Sequence, residues 1–252
     1  MSSLYPTSLF HFTSKQALYA ILTSTFRVSY AREKIYAPNS TREFAVPMVS
    51  FCDIKMADLK YFVEKDYGNF GIGLTKDWAN RMSLNPVMYV NQHCDIADRF
   101  NEGLRSVYAT LGNKANEMNS KNRGYHNLMN TYRYMKNYEG DLIRNSGTTP
   151  NYRFADEREW RYVPAFETPN VEPFVPISRI DTRAKKRDYN DRINHLRLSF
   201  QPEDIKYLIV EKDEDILELI QHLNVAKQKF NSDTKKRLTS RIITLEQIIN
   251  DF

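Results

Sequence analysis

Two carboxylates and two guanidinium groups fall within five positions at Glu157-Arg158-Glu159-Trp160-Arg161. In an extended strand, alternate side chains share a face. Glu157, Glu159 and Arg161 would then stand together, with Arg158, Trp160 and Tyr162 on the opposite face. Such a trio is either a solvated charge ladder or a carboxylate held by an arginine beside a cleft. His11 ends the run Leu9-Phe-His-Phe12, next to Thr13. An imidazole there is either a satisfied structural residue or a ligand contact. Tyr30, Tyr36, Ser50 and Cys52 are open to both kinds of reading. No His or acid lies near Cys52 as a partner, so a thiolate nucleophile has little support. Gly68-Asn-Phe-Gly71-Ile-Gly73 has the four-residue gap of a phosphate loop, but Leu74 stands where the lysine must be. Small residues in a strand that let a neighbouring backbone approach closely explain the pattern better.

The elements that must position these residues are short. Leu9–Phe12 reads as a strand. Thr13 and Gln16 fit a capping box, and Leu18, Ile21 and Leu22 follow at helical spacing. Phe26–Tyr30 is extended and 37–45 reads as a loop. Val46–Cys52 is a strand with Pro47 near its start, where a missing donor is tolerated. Residues 53–66 have helical spacing through Met56, Leu59, Phe62 and Val63. A turn then leads into a strand ending at Leu74, a helix or turn starts at Thr75, and Asn85–Val90 is again a strand. The segment 95–145 reads as helical pieces without a strong strand, with loop material at Asn113–Gly124. Residues 157–163 return to strand, 164–195 read as irregular, and Leu196–Phe200 and Ile205–Val210 are strands. Two helices are expected in 213–252. One carries Ile216, Leu219, Ile220 and Leu223. The other carries Leu238, Ile242, Leu245, Ile248 and Ile249. Short strands with helices inserted among them are an α+β pattern.

Composition narrows the function classes. With 41% apolar and 27% charged residues in 252 positions, this is an ordinary globular chain. No apolar run reaches the roughly 18 residues of a membrane span, and the start lacks the pattern of a secretory signal. Two cysteines without a CxxC argue for the cytosol and against a structural zinc site. Eight glycines, about half the usual share of ~7%, disfavour a function built on glycine-rich loops. The net charge of +5 is uneven: residues 179–197 carry +4 and residues 227–241 carry +5, leaving −4 for the remainder. These two segments are either an electrostatic footprint for a polyanion such as a nucleic acid, or solvated polar faces.

Six segments occur in a recognisable order: Leu9-Phe-His-Phe-Thr13, Val46-Pro-Met-Val-Ser-Phe-Cys-Asp-Ile54, Tyr67-Gly-Asn-Phe-Gly-Ile-Gly-Leu-Thr-Lys76, Asn85-Pro-Val-Met-Tyr89, Asp156-Glu-Arg-Glu-Trp-Arg-Tyr-Val-Pro164 and Asp204-Ile-Lys-Tyr-Leu-Ile-Val210. Across about residues 5–212 the chain resembles the bacterial abortive-infection AbiGi family, described as antitoxins of phage-resistance systems. The opening His-x-Thr, the middle Ser-Phe and the late Glu-x-Glu are also similar, more distantly, to the signature of the ADP-ribosyltransferase fold, including DarT-like enzymes.

That second resemblance implies a split, mostly antiparallel β core over residues 1–212. It would hold a helical insertion at about 95–150 and be followed by a helical extension at 213–252. It implies NAD as substrate, with no metal required. Glu159 would stabilise the oxocarbenium-like transition state and Glu157 would activate the acceptor. His11 and Thr13 would bind the cofactor ribose, Ser50 would buttress the acid, and Tyr30 or Tyr36 would stack on nicotinamide. The second motif, Val-Ser-Phe-Cys, departs from a Ser-Thr-Ser pattern. Two functions are therefore expected from the resemblance. One is an NAD-dependent mono-ADP-ribosyltransferase of a phage-defence system. The other is a catalytically silent antitoxin or binding module that neutralises a partner toxin.

Overall fold

The computed structural model describes residues 6–63, 67–112, 117, 122–144, 147–228 and 230–251. In chain order the first elements are β1 (Ser8–Thr13), α1 (Lys15–Ser24), β2 (Phe26–Arg27), β3 (Ser29–Tyr36), β4 (Thr41–Cys52), α2 (Lys60–Val63), β5 (Phe70–Thr75), α3 (Lys76–Arg81), β6 (Asn85–Pro86) and β7 (Met88–Val90). Then come α4 (Ile96–Leu111), α5 (Arg123–Tyr132), β8 (Met135–Asn137), β9 (Gly140–Arg144), β10 (Gly147–Tyr152), β11 (Glu159–Tyr162), β12 (Val175–Pro176) and α6 (Arg183–Arg192). The last are β13 (Arg197–Leu198), β14 (Ile205–Val210), α7 (Glu214–Ala226), α8 (Ser232–Thr239), β15 (Ile242–Thr244) and α9 (Leu245–Asp251). The protein is mixed α+β with mostly antiparallel strands; β7 with β8 and β14 with β15 are parallel pairs.

The chain divides into two compact units. The first comprises Met1–Arg27, Val49–Asn85 and Leu196–Phe252; the second comprises Val28–Met48 and Pro86–His195.

In the first unit, β5 lies between β1 and β14, antiparallel to both. Gly71 and Gly73 sit opposite Phe12 and Phe10 in the register. A Cβ on Gly73 would meet Phe10 Cε1 at 2.9 Å and Tyr207 Cδ2 at 3.1 Å. Those two rings stack with centroids 5.8 Å apart, covering the glycine from both neighbouring strands. Gly71 and Gly73 are thus a floor mainly for aromatic side chains, rather than for a closely approaching neighbour backbone. Gly68 has φ +94°, and a Cβ there would meet the Thr13 carbonyl oxygen at 2.3 Å. Only glycine fits that turn. The core around these strands includes Ile54, Leu59, Ile209, Leu245 and Ile248. Trp78 of α3 is buried and donates Nε1–H to the Ser199 carbonyl at 2.9 Å.

In the second unit, β3 and the first part of β4 form a hairpin whose register runs from Ser29↔Met48 to Tyr36↔Thr41. β12 pairs with the other edge of β4 at Phe44 and Ala45. Ile35, Phe44, Val46, Val90, Leu104, Tyr132 and Met135 belong to one apolar core there. α4 and α5 join it through faces repeated at helical spacing.

Several sequence expectations are corrected. Residues 41–45 are strand, not loop, because the polar stretch is paired along its length with β3. Pro47 therefore sits mid-strand, not near a start. Ser14, not Thr13, caps α1: its side chain accepts from Ala17 N–H, while Thr13 is the last residue of β1. Helix in 53–63 is limited to a 3-10 turn at Met56–Asp58 and the short α2; residues 64–66 lie outside the described ones. Asn85–Val90 is split into β6 and β7, and Leu196–Phe200 is strand only over β13. After α5 the segment expected to be helical yields β8, β9 and β10. Most of the expected loop at Asn113–Gly124 lies outside the described residues. The segment 164–195 contains α6, polar almost throughout, with Tyr189 its buried residue and Thr182 as N-cap. Such a helix has no apolar stripe, which is why spacing did not reveal it. The end of the chain is not wholly helical: β15 pairs in parallel with β14.

Candidate functional site

The Glu157–Arg161 segment is not an uninterrupted strand. Residues Phe154–Glu157 form a 3-10 turn, and Arg158 takes a left-handed conformation with φ 46° and ψ 51°. β11 starts only at Glu159. Glu159 and Arg161 do share a face, and it is the buried one; Trp160 and Tyr162 are half-buried on the other. The surface-ladder alternative is therefore overturned, and the acid is held by the arginine.

Glu157 reaches the same cluster from the turn. Lys136 of β8 donates to Glu157 Oε2 at 3.0 Å and to Glu159 Oε2 at 2.8 Å. Arg161 donates from Nε to Glu159 Oε1 at 2.6 Å and from Nη2 to Glu159 Oε2 at 3.1 Å. It also reaches Glu33 Oε1 of β3 at 2.9 Å and the Arg133 carbonyl at 3.0 Å. The Tyr152 hydroxyl donates to Glu157 Oε1 at 2.9 Å. The Tyr89 hydroxyl accepts from the Glu159 backbone N–H at 2.9 Å. All four oxygens of the acid pair are thus engaged by the protein's own donors.

The electrostatics follow from this packing. Burial alone would push the Glu159 carboxyl up, but Arg161 and Lys136 more than offset it and hold it well below the usual range. Burial would likewise lower Lys136, and the surrounding carboxylates of Glu159, Glu157 and Glu33 raise it instead. Glu33 moves the other way: burial pushes it up despite Arg161 and Lys136. Three carboxylates share two cations, and Glu33 is the member that carries the excess.

Glu33, Tyr36, Lys136, Asn137 and Phe154 line a cavity of about 440 Å³ beside the cluster. Tyr36 is tied to β8 by the Asn137 side chain, which accepts from its N–H at 2.8 Å and donates to its carbonyl at 3.0 Å. Tyr30 has another fate. Its ring is buried edge-to-face on Tyr189, and its hydroxyl donates to the Glu172 carbonyl at 2.9 Å. Burial pushes that hydroxyl up to about 12.

His11, Thr13 and Ser50 belong to the first unit, and Tyr30, Tyr36, Glu157 and Glu159 to the second. Within the first unit, His11 Nδ1 lies 2.8 Å from the Ser50 carbonyl oxygen. That oxygen can only accept, so Nδ1 carries the proton and Nε2 is the bare nitrogen. Phe26 and Phe51 pack on the ring at 5.2 and 5.6 Å. Burial lowers the His11 pKa, opposed by the Ser50 carbonyl. His11 and Ser50 are thus joined, through the Ser50 backbone. Neither Cys52 nor Cys94 is in a disulfide.

Glu33, Lys136, Tyr89 and Tyr152 escaped the reading of the sequence. Glu33 sits in the charged run Arg32-Glu33-Lys34, where only the β3–β4 register tells its face. Lys136 lies between Met135 and Asn137, both buried, and that alternation is the one local signal of a strand.

The two basic segments differ. On α6, Arg183, Lys185 and Arg187 are exposed, with Lys185 paired to Asp181 at 2.9 Å. In 227–241, Lys227 is buried and Arg241 is turned inward to the carbonyls of Pro202 and Ile205; Lys229 lies outside the described residues. No helix among the described residues is long and apolar enough to cross a membrane.

Comparison with known proteins agrees with the order of motifs. The family model of abortive phage resistance protein AbiGi, antitoxin, matches residues 24–211. The abortive phage resistance protein AbiGi of Lactococcus lactis subsp. cremoris is 25% identical over 228 residues, covering 84% of this chain and 90% of that protein. No solved structure matches the chain. On the extent of the family match, the chain belongs to the AbiGi family of abortive phage resistance proteins.

Proposed function

We propose that this chain is the antitoxin of a phage-defence pair, acting in the cytosol by binding a partner toxin rather than by turning over NAD. The observation that carries this reading is the engagement of all four oxygens of Glu157 and Glu159 by Lys136, Arg161 and Tyr152. A carboxylate that must meet a ribose hydroxyl and a developing oxocarbenium charge needs an open oxygen. Here the cations that neutralise the acids would have to leave first. The family's description as antitoxin supports the same side.

A second reading keeps an NAD-dependent ADP-ribosyltransferase. It is favoured by the 440 Å³ cavity against the cluster, a size in the range of small-molecule sites. Glu159 would stabilise the ribose cation and Glu157 would activate the acceptor. Tyr36 would be the nicotinamide platform, since it lines the cavity and Tyr30 is committed to Tyr189.

The test has two arms. The chain is co-produced with a candidate partner toxin, and growth is followed. Labelled NAD is then incubated with lysate and either the wild type or Glu159→Gln. Rescue of growth without label transfer supports the antitoxin. Label transfer that disappears in Glu159→Gln overturns it in favour of the enzyme.

A further inference from the structure

A second cavity in the same unit, of about 550 Å³, has different chemistry. Its helical walls are set by spacing. Leu104, Arg105 and Tyr108 come from α4, and Tyr125, Met129 and Tyr132 come from α5. Strand β4 supplies Arg42 and Phe44. The Tyr108 and Tyr125 rings lie 5.8 Å apart and are tilted by 52°, so they form two walls of a wedge rather than a closed stack. Phe44 packs edge-on to Tyr132 at the base.

The charge in this cavity is unmatched. Glu43 is the acid among its lining residues, and Lys34 neutralises it at 2.7 Å. Neither Arg42 nor Arg105 has a carboxylate partner among the described residues. Arg42 uses Nε on Asn101 Oδ1 at 3.1 Å, which aims its guanidinium along the cavity wall. Both arginines pull down on the Tyr132 hydroxyl, which burial nonetheless pushes up to about 12. The Asn101 oxygen accepts from Tyr132 and Arg42, and one N–H of its amide donates to Ser40 at 3.3 Å.

We propose that this cavity binds a nucleoside monophosphate, with the base stacked on the cavity-facing side of the Tyr125 ring and the phosphate on Arg42 and Arg105. Planar rings and paired guanidinium groups are the combination that recognises an aromatic anion. Because the Asn101 oxygen is already engaged twice, its amide cannot pair with the acceptor–donor edge of a base, so selectivity between purines is low. The site shares no ion pair with the Glu157–Glu159 cluster and stands or falls independently of the antitoxin reading.

The experiment is calorimetry on the full chain with AMP, GMP, adenosine and inorganic phosphate. AMP and GMP are expected to bind within about threefold of each other, and at least tenfold more tightly than adenosine or phosphate alone. Arg105→Ala and Tyr125→Leu should each weaken AMP at least tenfold, while Glu159→Gln leaves it unchanged. Arg105 is exposed and outside the core, so its variant should fold as the wild type does, checked by melting temperature. Failure of both nucleotides to bind at millimolar concentration overturns the proposal. So does binding that Arg105→Ala and Tyr125→Leu leave intact.

Discussion

Arg161 grips Glu159 from two positions along the same strand, through Nε at 2.6 Å and Nη2 at 3.1 Å. Both side chains are buried, so the pair is removed from the screening that weakens surface ion pairs. It anchors a cluster that joins β3, β8 and β11 in one unit.

Arg161→Met should therefore leave Glu159 and Glu33 buried beside too little positive charge. A loss of about 3–5 kcal/mol is expected, the cost of breaking a buried pair. Arg133→Met is the contrast. Arg133 is buried, its Nε and Nη2 have no hydrogen-bond partner among the described residues, and burial lowers its pKa to about 10. Replacing that unmatched charge by an apolar chain of similar length should be neutral or stabilising. Urea melts of the two variants check the difference in sign.

Acid should unfold the protein in two stages. The folded pKa of His11 is depressed below 6.5, so the unfolded chain binds the proton more readily and stability falls as pH drops below that value. Glu159 is depressed below 4.5, so its contribution is present above that pH and is lost beneath it. Glu33, raised by burial, works in the opposite direction: the folded chain takes that proton first, so it adds stability as pH falls through the window above 4.5, before the second stage begins. Stability measured against pH should show a flattened upper stage in His11→Asn and a flattened lower stage in Glu159→Gln. Unchanged curves in both variants would contradict these assignments.

Glycine substitutions should separate by position. Gly73→Ala forces a Cβ into Phe10 and Tyr207 and should cost about 1–3 kcal/mol through overpacking. Gly103, inside α4, has nothing within 4 Å of a new Cβ, and alanine there should stabilise by up to about 1 kcal/mol. Thermal melts in parallel test the pair.

If nucleic acid is a partner, α6 is the surface that should meet it. Arg183→Ala with Arg187→Ala should lower the salt needed to elute the chain from a DNA column, without changing its melting temperature. Lys236→Ala with Arg237→Ala should matter less, because that segment spends two of its cations internally. No retention of the wild type at low salt would remove the idea.

Apolar spacing was enough to reveal α1, α7 and β14, because each has one apolar side to bury. The β3–β4 hairpin stayed hidden because Thr41–Glu43 is polar and its strand character comes from pairing with Lys34–Tyr36. α6 stayed hidden for the reverse reason: it is helical with almost nothing to bury. At the site, the Glu-x-Glu-x-Arg pattern correctly placed Glu159 beside Arg161. It could not supply Lys136 or Glu33, whose proximity depends on strands far away in sequence.

β15 borders β14 at the outer edge of the first unit's strand order, just before α9. A truncation ending at Ser240 would strip off that border and leave the β14 backbone with a row of unsatisfied donors and acceptors. Shortened chains should then polymerise edge to edge, so deletion analysis of the tail would report insolubility where it was meant to report on function.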